Sequence, residues 1–393
     1  MRYIIFGYDG RNTLGQIRSL GVKGVRPTII LVGPRKGICE ASRYCGQICF
    51  VSSEGEGIEL LLSEFADSKD KAVVYTDSDG VVGAMNACYD SLSPYFCFSN
   101  AGEKNKLNSY LEKYCQIQLA KNVGFTVADT KVWKKGEPTP ELTYPVFTKA
   151  VSSLKNGWKK GSHICKNENE LQNVLDATNQ DEIESLILQQ FIEKKDEIHF
   201  EGFSINKGSD VYIPLYGGYY RLEETSYGTY EWLASCTQSD LFLKQIKQLF
   251  QEIGYEGIFE VEFILDKQEK LYFTEINFRE TAFNHIHTLM GVNITWMYAQ
   301  SLAKGRLCTE EAKVIKEPFV FMNEFADFSH NVLSRKISII QWVVDVRNCD
   351  AFIFYDRQDY KPFRNEFKKF SKWLIKVIFK KIFKVNNLSF GSS

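Results

Sequence analysis

Residues 257–280 read GIFEVEFILDKQEKLYFTEINFRE, two runs of alternating apolar and polar residues joined by DKQEK. Alternation with period two is the pattern of a half-buried β-strand, and a short polar junction suits a hairpin turn. In the first run Glu260 and Glu262 share one face, with Val261 and Phe263 on the other. In the second, Glu275, Asn277 and Arg279 oppose Tyr272, Thr274, Ile276 and Phe278. Antiparallel pairing gathers Glu262, Glu275 and Asn277 on one side. Carboxylates facing each other across a sheet repel, so this face needs water or a cation between its acids. Carboxylate and amide oxygens suit Mg²⁺, which takes one or two protein carboxylates and completes its shell with water and phosphate. The other reading is a solvated outer face on which Arg279 pairs across the strands.

The chain around this hairpin has 393 residues, enough for two or three units at roughly 150 residues each. Its hydrophobic fraction of 44% suits a globular protein, and a formal net charge of -1 argues against bulk nucleic-acid binding. Ten cysteines are scattered without a CxxC pair or zinc-finger spacing, which reads as reduced thiols in a cytosolic protein. The opening MRYIIFGYDG has too short an apolar run for a signal segment, and no later run approaches the ~20 residues of a membrane-spanning helix. The expectation is a cytoplasmic protein.

Residues 1–100 alternate strand-like runs (RYIIFGYDG, RPTIILVG, KAVVYTDSDG) with helix-like ones (NTLGQIRSLG, IELLLSEFA), which predicts a doubly wound parallel sheet. Gly7, Asp9, Gly10, Asp77 and Asp79 follow its first and third strands, where such sheets bind ligands and where turns need the same residues. Apolar spacing predicts a helix over 104–123 stopped by Gly124. FTVADTKVW, YPVFTKAV and ESLILQQFI read as strands, ENELQNVLDA as a helix, 197–235 as sheet followed by a loop, and 240–253 as an amphipathic helix.

The order of a lysine strand, a glycine loop, a hinge and an acid hairpin ending in E-I-N-x-R resembles the ATP-grasp fold from about residue 1 to 305. Its closest flavour is the bacterial carboxylate-amine ligases often associated with surface-polymer synthesis. The resemblance implies an α/β chain, α+β in the ATP-grasp part, in which a doubly wound parallel sheet precedes two lobes clasping a nucleotide. It divides the chain into a pre-ATP-grasp domain (1–103), a small lobe (104–198), a large lobe (199–325) and a C-terminal extension (326–393). It makes Glu262, Glu275 and Asn277 ligands of two magnesium ions on ATP, and sets Arg279 against the transferred phosphoryl group. Lys149 in YPVFTKA would hold the phosphates, as would Lys159 or Lys160 in NGWKKGSH. Gln189 and the backbone of Gln190, Phe191 and Ile192 would meet adenine, and Glu197 the ribose. This sequence departs from the pattern at Gln189 and Gln190, where hinges often begin with an acid, and at Glu260, where some ligases carry arginine.

The implied chemistry is attack of a carboxylate on the γ-phosphate, then displacement of phosphate from the acyl phosphate by an amine, both substrates being small or lipid-linked. Arg221 is a candidate anchor for a substrate carboxylate, and Tyr219, Tyr220 and Tyr230 are stacking surfaces or an aromatic sheet edge. His285 and His287 either bind a metal from one strand face, line the substrate cleft or pack locally. The tail FKKFSKWLIKVIFKKIF at 367–383 is a basic amphipathic helix that lies on an anionic membrane, on a partner or on the protein's own core. Two rival readings stand beside a ligase: a silent nucleotide-binding module and an ATP-grasp carboxylase. Homo-oligomerisation is left open.

Overall fold

The computed structural model describes residues 1–151, 162–178, 184–222, 228–315 and 317–389. The chain begins with β1 (Tyr3–Tyr8), α1 (Arg11–Gly21), β2 (Thr28–Val32), β3 (Ile48–Val51), α2 (Glu54–Leu60), β4 (Ala72–Thr76), α3 (Asp79–Ala87), α4 (Tyr89–Leu92) and β5 (Phe96–Cys97). These strands form a parallel sheet in the order β3-β2-β1-β4-β5, as the alternation predicts; β3 and β5 are too short to stand out in the sequence. Asp9 and Asp77 serve the turns. Asp9 accepts the backbone N–H groups of Lys36, Gly37, Ile38 and Cys39, while Asp77 accepts from Tyr8 N and Thr13 Oγ1.

The stretch expected as one helix over 104–123 is two, α5 (Lys106–Tyr110) and α6 (Lys113–Val123). The break at 111–112 turns the N–H of Lys113 toward the carbonyl of Val151 at 2.9 Å. Next come β6 (Thr130–Lys134), β7 (Val146–Ala150), β8 (His163–Cys165), α7 (Glu168–Thr178) and β9 (Ser185–Gln190). The strands make an antiparallel sheet in the order β6-β9-β7-β8, with Val146, Leu186 and Leu188 buried against Leu171 and Leu175 of α7.

The large sheet is built from β10 (Lys194–Ile205), β11 (Asp210–Arg221), β12 (Tyr230–Ser235), β13 (Gly257–Asp266) and β14 (Leu271–Asn277), with α8 (Asp240–Ile253) between β12 and β13. After α9 (Asn284–Met290) and α10 (Ile294–Lys304), the strand β15 (Phe319–Met322) joins the sheet. So does β16 (Ala351–Phe352), which follows α11 (Glu324–Asp327) and α12 (Ile339–Asn348). The order is β14-β13-β10-β11-β12-β15-β16, so the sheet continues past residue 325, where the C-terminal extension is expected to start.

One face of the sheet buries Phe200, Phe263 and Phe273 against Phe125 and Phe242, and the other carries the acids. Plain alternation predicts Tyr272 and Thr274 for the apolar face of β14. A bulge at Thr274 instead brings Phe273 opposite Phe263, so the core takes Phe273, Ile276 and Phe278.

The last helix, α13 (Tyr360–Ser389), lies along the molecule at its start. Phe363 and Phe370 pack on Phe325 with ring centroids 5.6 and 5.2 Å apart, and Asn365 Nδ2 donates to Gly37 O at 3.3 Å. This part of the tail covers the protein's own core. Phe367, Trp373, Ile375 and Phe379 remain exposed among Lys368, Lys372 and Lys376. Among the described residues, no helix is long and apolar enough to cross a membrane.

Candidate active site

The hairpin β13–β14 pairs Glu260 with Asn277 and Glu262 with Glu275, placing all four on one face. Asn277 Nδ2 donates to Glu260 Oε2 and to Glu262 Oε1, each at 2.8 Å. Burial pushes the Glu262 carboxyl well above the usual range, and Glu260, Glu275 and Glu197 push it further. Glu260 rises to about 8, through burial first and then the charge of Glu201. Glu275 goes the other way. Burial would raise it, but Lys113 beside it, with Lys149 and Arg279 beyond, holds the carboxyl below its ordinary value.

Three cations approach these acids from three different elements. Lys149 sits on β7, where burial and the neighbouring charge of Lys113 lower its ammonium to about 8. Arg279 follows β14; its Nε donates to Asp79 Oδ1 at 3.0 Å and its Nη2 to Asn277 Oδ1 at 3.1 Å. The third is Lys113, the first residue of α6, which forms an ion pair with Glu275. The sequence reading missed it, because a lone lysine at a helix start carries no pattern. Gln116, one turn on, is its local signal in the fold: Nε2 donates to Ile276 O at 3.1 Å and Oε1 accepts from Ile276 N at 2.7 Å, bolting α6 to the edge strand β14.

Residues 116–292 match the sequence profile of the ATP-grasp domain. That stretch of the chain is an ATP-grasp domain. The chain is similar to the 2-oxoglutarate carboxylase small subunit of Hydrogenobacter thermophilus, with 26% identity over 149 residues. That match covers 35% of this chain and only 30% of the relative. Its fold is similar to that of an N5-carboxyaminoimidazole ribonucleotide synthetase solved with ADP, at TM-score 0.64 and 16% identity over 85% of each chain. It is also similar to that of the L-amino acid ligase from Bacillus licheniformis, at TM-score 0.57 and 13% identity, covering 77% of this chain and 74% of that one.

ATP-grasp chemistry implies magnesium, and the residues present fit it. Glu262 and Glu275 face each other across the hairpin; burial, then Glu260 and Glu275, raise Glu262, and a divalent cation between the facing carboxylates relieves their repulsion. The nucleotide residues are placed less simply. The N–H groups of Gln190 and Phe191 are taken by the carbonyls of Asp129 and Pro145, at 2.8 and 2.9 Å. Gln189 is buried and spends its Nε2 on Thr130 Oγ1 at 2.7 Å, so its amide is a strand tie and not an open adenine contact. Ile192 follows this hinge, and Glu197 on β10 accepts from Lys194 at 2.6 Å. Lys159 and Lys160 lie outside the described residues.

The three residues expected to meet substrate each have a partner within the protein. Arg221 is no open anchor: its guanidinium forks onto Asp327 at 2.9 and 2.8 Å and reaches Asp345 at 2.5 Å. Tyr220 points away from the acids. Gly217 pairs with His199, which puts Tyr219 on the His199 side of β11 and leaves Tyr220, 51% exposed, packed on Tyr230. His285 is on a helix rather than a strand, buried, with Nε2 2.8 Å from Asp356 Oδ2. It ties α9 to the C-terminal segment.

Proposed function

We propose that this chain is an ATP-dependent carboxylate-amine ligase. The observation that carries this reading is one sheet face on which Lys113, Lys149 and Arg279 oppose Glu262, Glu275 and Asn277. Phosphoryl transfer asks a protein for position and charge neutralisation, and such a set supplies both. Glu262, Glu275 and Asn277 would hold two magnesium ions, which when bound neutralise the nucleotide phosphates. Lys149 and Lys113 would hold the transferring phosphoryl group, with Arg279 held toward it by Asp79. Ile192 would meet the adenine and Glu197 the ribose. A substrate carboxylate oxygen attacks the γ-phosphorus and the bond to the ADP oxygen breaks. The amine then attacks the acyl carbon, phosphate leaves with the bonding pair, and the amine loses a proton to give the amide.

The substrate we favour is a cell-envelope polysaccharide or peptide precursor, free or lipid-linked. The exposed aromatic and lysine residues of α13 support an anionic surface nearby. A second reading, a carboxylase that activates bicarbonate, is favoured by the likeness to the carboxylase small subunit. Magnesium-dependent ADP release, assayed with pooled amino and uronic acids and hydroxylamine, separates them. ADP with a hydroxamate, both lost in Glu275→Gln, supports the ligase. ADP that appears only with bicarbonate supports the carboxylase, and tight ATP binding without ADP under either condition points to a silent module.

A further inference from the structure

The sheet face that carries the magnesium acids also carries a second, deeper group. Across β10 and β13, Glu201 pairs with Glu260 and His199 with Glu262. One ligand atom each from His199, Glu201 and Glu260 lie within 4.8 Å of one another, and the three residues are 2%, 2% and 4% exposed. Among the described residues, neither ring nitrogen of His199 has a hydrogen-bond partner. Its Nδ1 stops 3.9 Å from Glu260 Oε1, too far for a hydrogen bond. Its Nε2 faces β11 where that strand has no side chain: a Cβ on Gly217 would meet this atom at 2.4 Å. His287 stands behind, Nε2 3.2 Å from Glu201 Oε2 but without hydrogen-bond geometry, so among the described residues its two ring nitrogens also have no hydrogen-bond partner.

An unpaired buried polar group costs about 1–3 kcal/mol, so interiors rarely keep one without a ligand, a water or a function. Here an imidazole without a partner faces two carboxylates that oppose each other across neighbouring strands. Glu201 accepts long hydrogen bonds from Thr281 Oγ1, at 3.5 and 3.4 Å, and Glu260 Oε1 faces the ring at 3.9 Å. Glu260 separates this group from the magnesium set, since its Oε2 is held by Asn277 and its Oε1 turns to His199. The donors differ too. Magnesium prefers oxygen alone, whereas one imidazole and two carboxylates suit zinc, manganese or cobalt.

We propose that His199, Glu201 and Glu260 form a site for a divalent transition-series cation, distinct from the magnesium ligands, with His287 beside Glu201. Closing ligand atoms from within 4.8 Å to the spacing of a tetrahedral shell, about 3.4 Å, needs only small side-chain movements. The site lies against the acids expected to hold ATP, so the cation would also tune the charge that Glu260 presents to Asn277.

The test is cobalt(II) titration of chelator-stripped, full-length protein in excess magnesium. The expected result is one tightly bound cobalt with strong visible absorption, displaced by zinc and retained in Glu275→Gln. His199→Gln and Glu201→Gln weaken it on the order of 100-fold, and His287→Gln about tenfold. Should His199→Gln fail to fold, pulsed electron paramagnetic resonance of manganese bound to the wild type decides, because imidazole coordination gives a nitrogen coupling. Absent nitrogen coupling, or cobalt binding unchanged in a folded His199→Gln, overturns the site. So does thermal stabilisation by methylammonium but not by cobalt, which would assign the pocket to a protonated amine. None of these readouts requires ATP turnover, so they stand or fall apart from the ligase reading.

Discussion

Lys113 and Lys149 are placed close enough for each to act on the other, and the consequences differ. Lys149 is lowered to about 8 by burial and then by Lys113, whereas Lys113 is held charged by Glu275. Lys113→Met should therefore slow ADP formation on the order of 100-fold and also lower the magnesium concentration needed, because the ammonium that competes for Glu275 is gone. Steady-state kinetics at varied magnesium checks this, and an unchanged magnesium dependence would refute the coupling. A second residue-scale prediction concerns Glu280, which burial raises from 4.5 to about 8 against the hydrogen bonds of Asn284 and Thr295. Between those two pH values the folded state holds a proton that the unfolded chain has released. Its stabilising contribution is thus full below about pH 4.5 and is lost as pH rises through 8. Thermal unfolding from pH 5 to 8 should show Tm falling, with a shallower slope in Glu280→Gln; parallel slopes would refute the assignment.

At the scale of elements, the hairpin was legible because its cause is local. Period-two alternation over ten and seven residues and a polar turn suffice to pair the acids. Its bulge was not legible, because Thr274 is displaced by the packing of Phe273 on Phe125 and Phe263 from other elements. The attachment of α6 to β14 belongs to the same class, since Gln116 reaches Ile276 across 160 residues. Gln116→Leu leaves the buried N–H and carbonyl of Ile276 unpaired and should cost about 3 kcal/mol in urea unfolding. It should also lower ADP formation by releasing Lys113 from Glu275. Full stability in that variant would show that the bolt carries no weight.

At the scale of the molecule, the last fifty residues are fastened to the first. Arg18 is fully buried; its Nε pairs with Asp359 at 3.0 Å and its other nitrogens reach the carbonyls of Ile353, Phe354 and Asp359. Ser42 Oγ and Arg43 N close on the same carboxylate at 2.7 and 2.8 Å. Arg18→Met leaves Asp359 as a buried charge without its partner, at a cost of about 3–5 kcal/mol. Limited proteolysis should then cut near residues 355–360 before any other site. Cleavage with the wild-type pattern and rate would refute the role of Arg18 as the clasp.

By itself the sequence determined the β/α alternation at the start, the lysine strand, the acid hairpin and the helical tail. Each of these is written in spacing along a few residues, and spacing is all that strand and helix geometry require. Only the tertiary structure decided which charges meet. Lys113 finds Glu275 across 162 residues and Arg221 finds Asp327 across 106, one completing the candidate site and the other withdrawn from it. Charge pairing depends on distance through space, and chain spacing carries no record of it until the sheets are stacked.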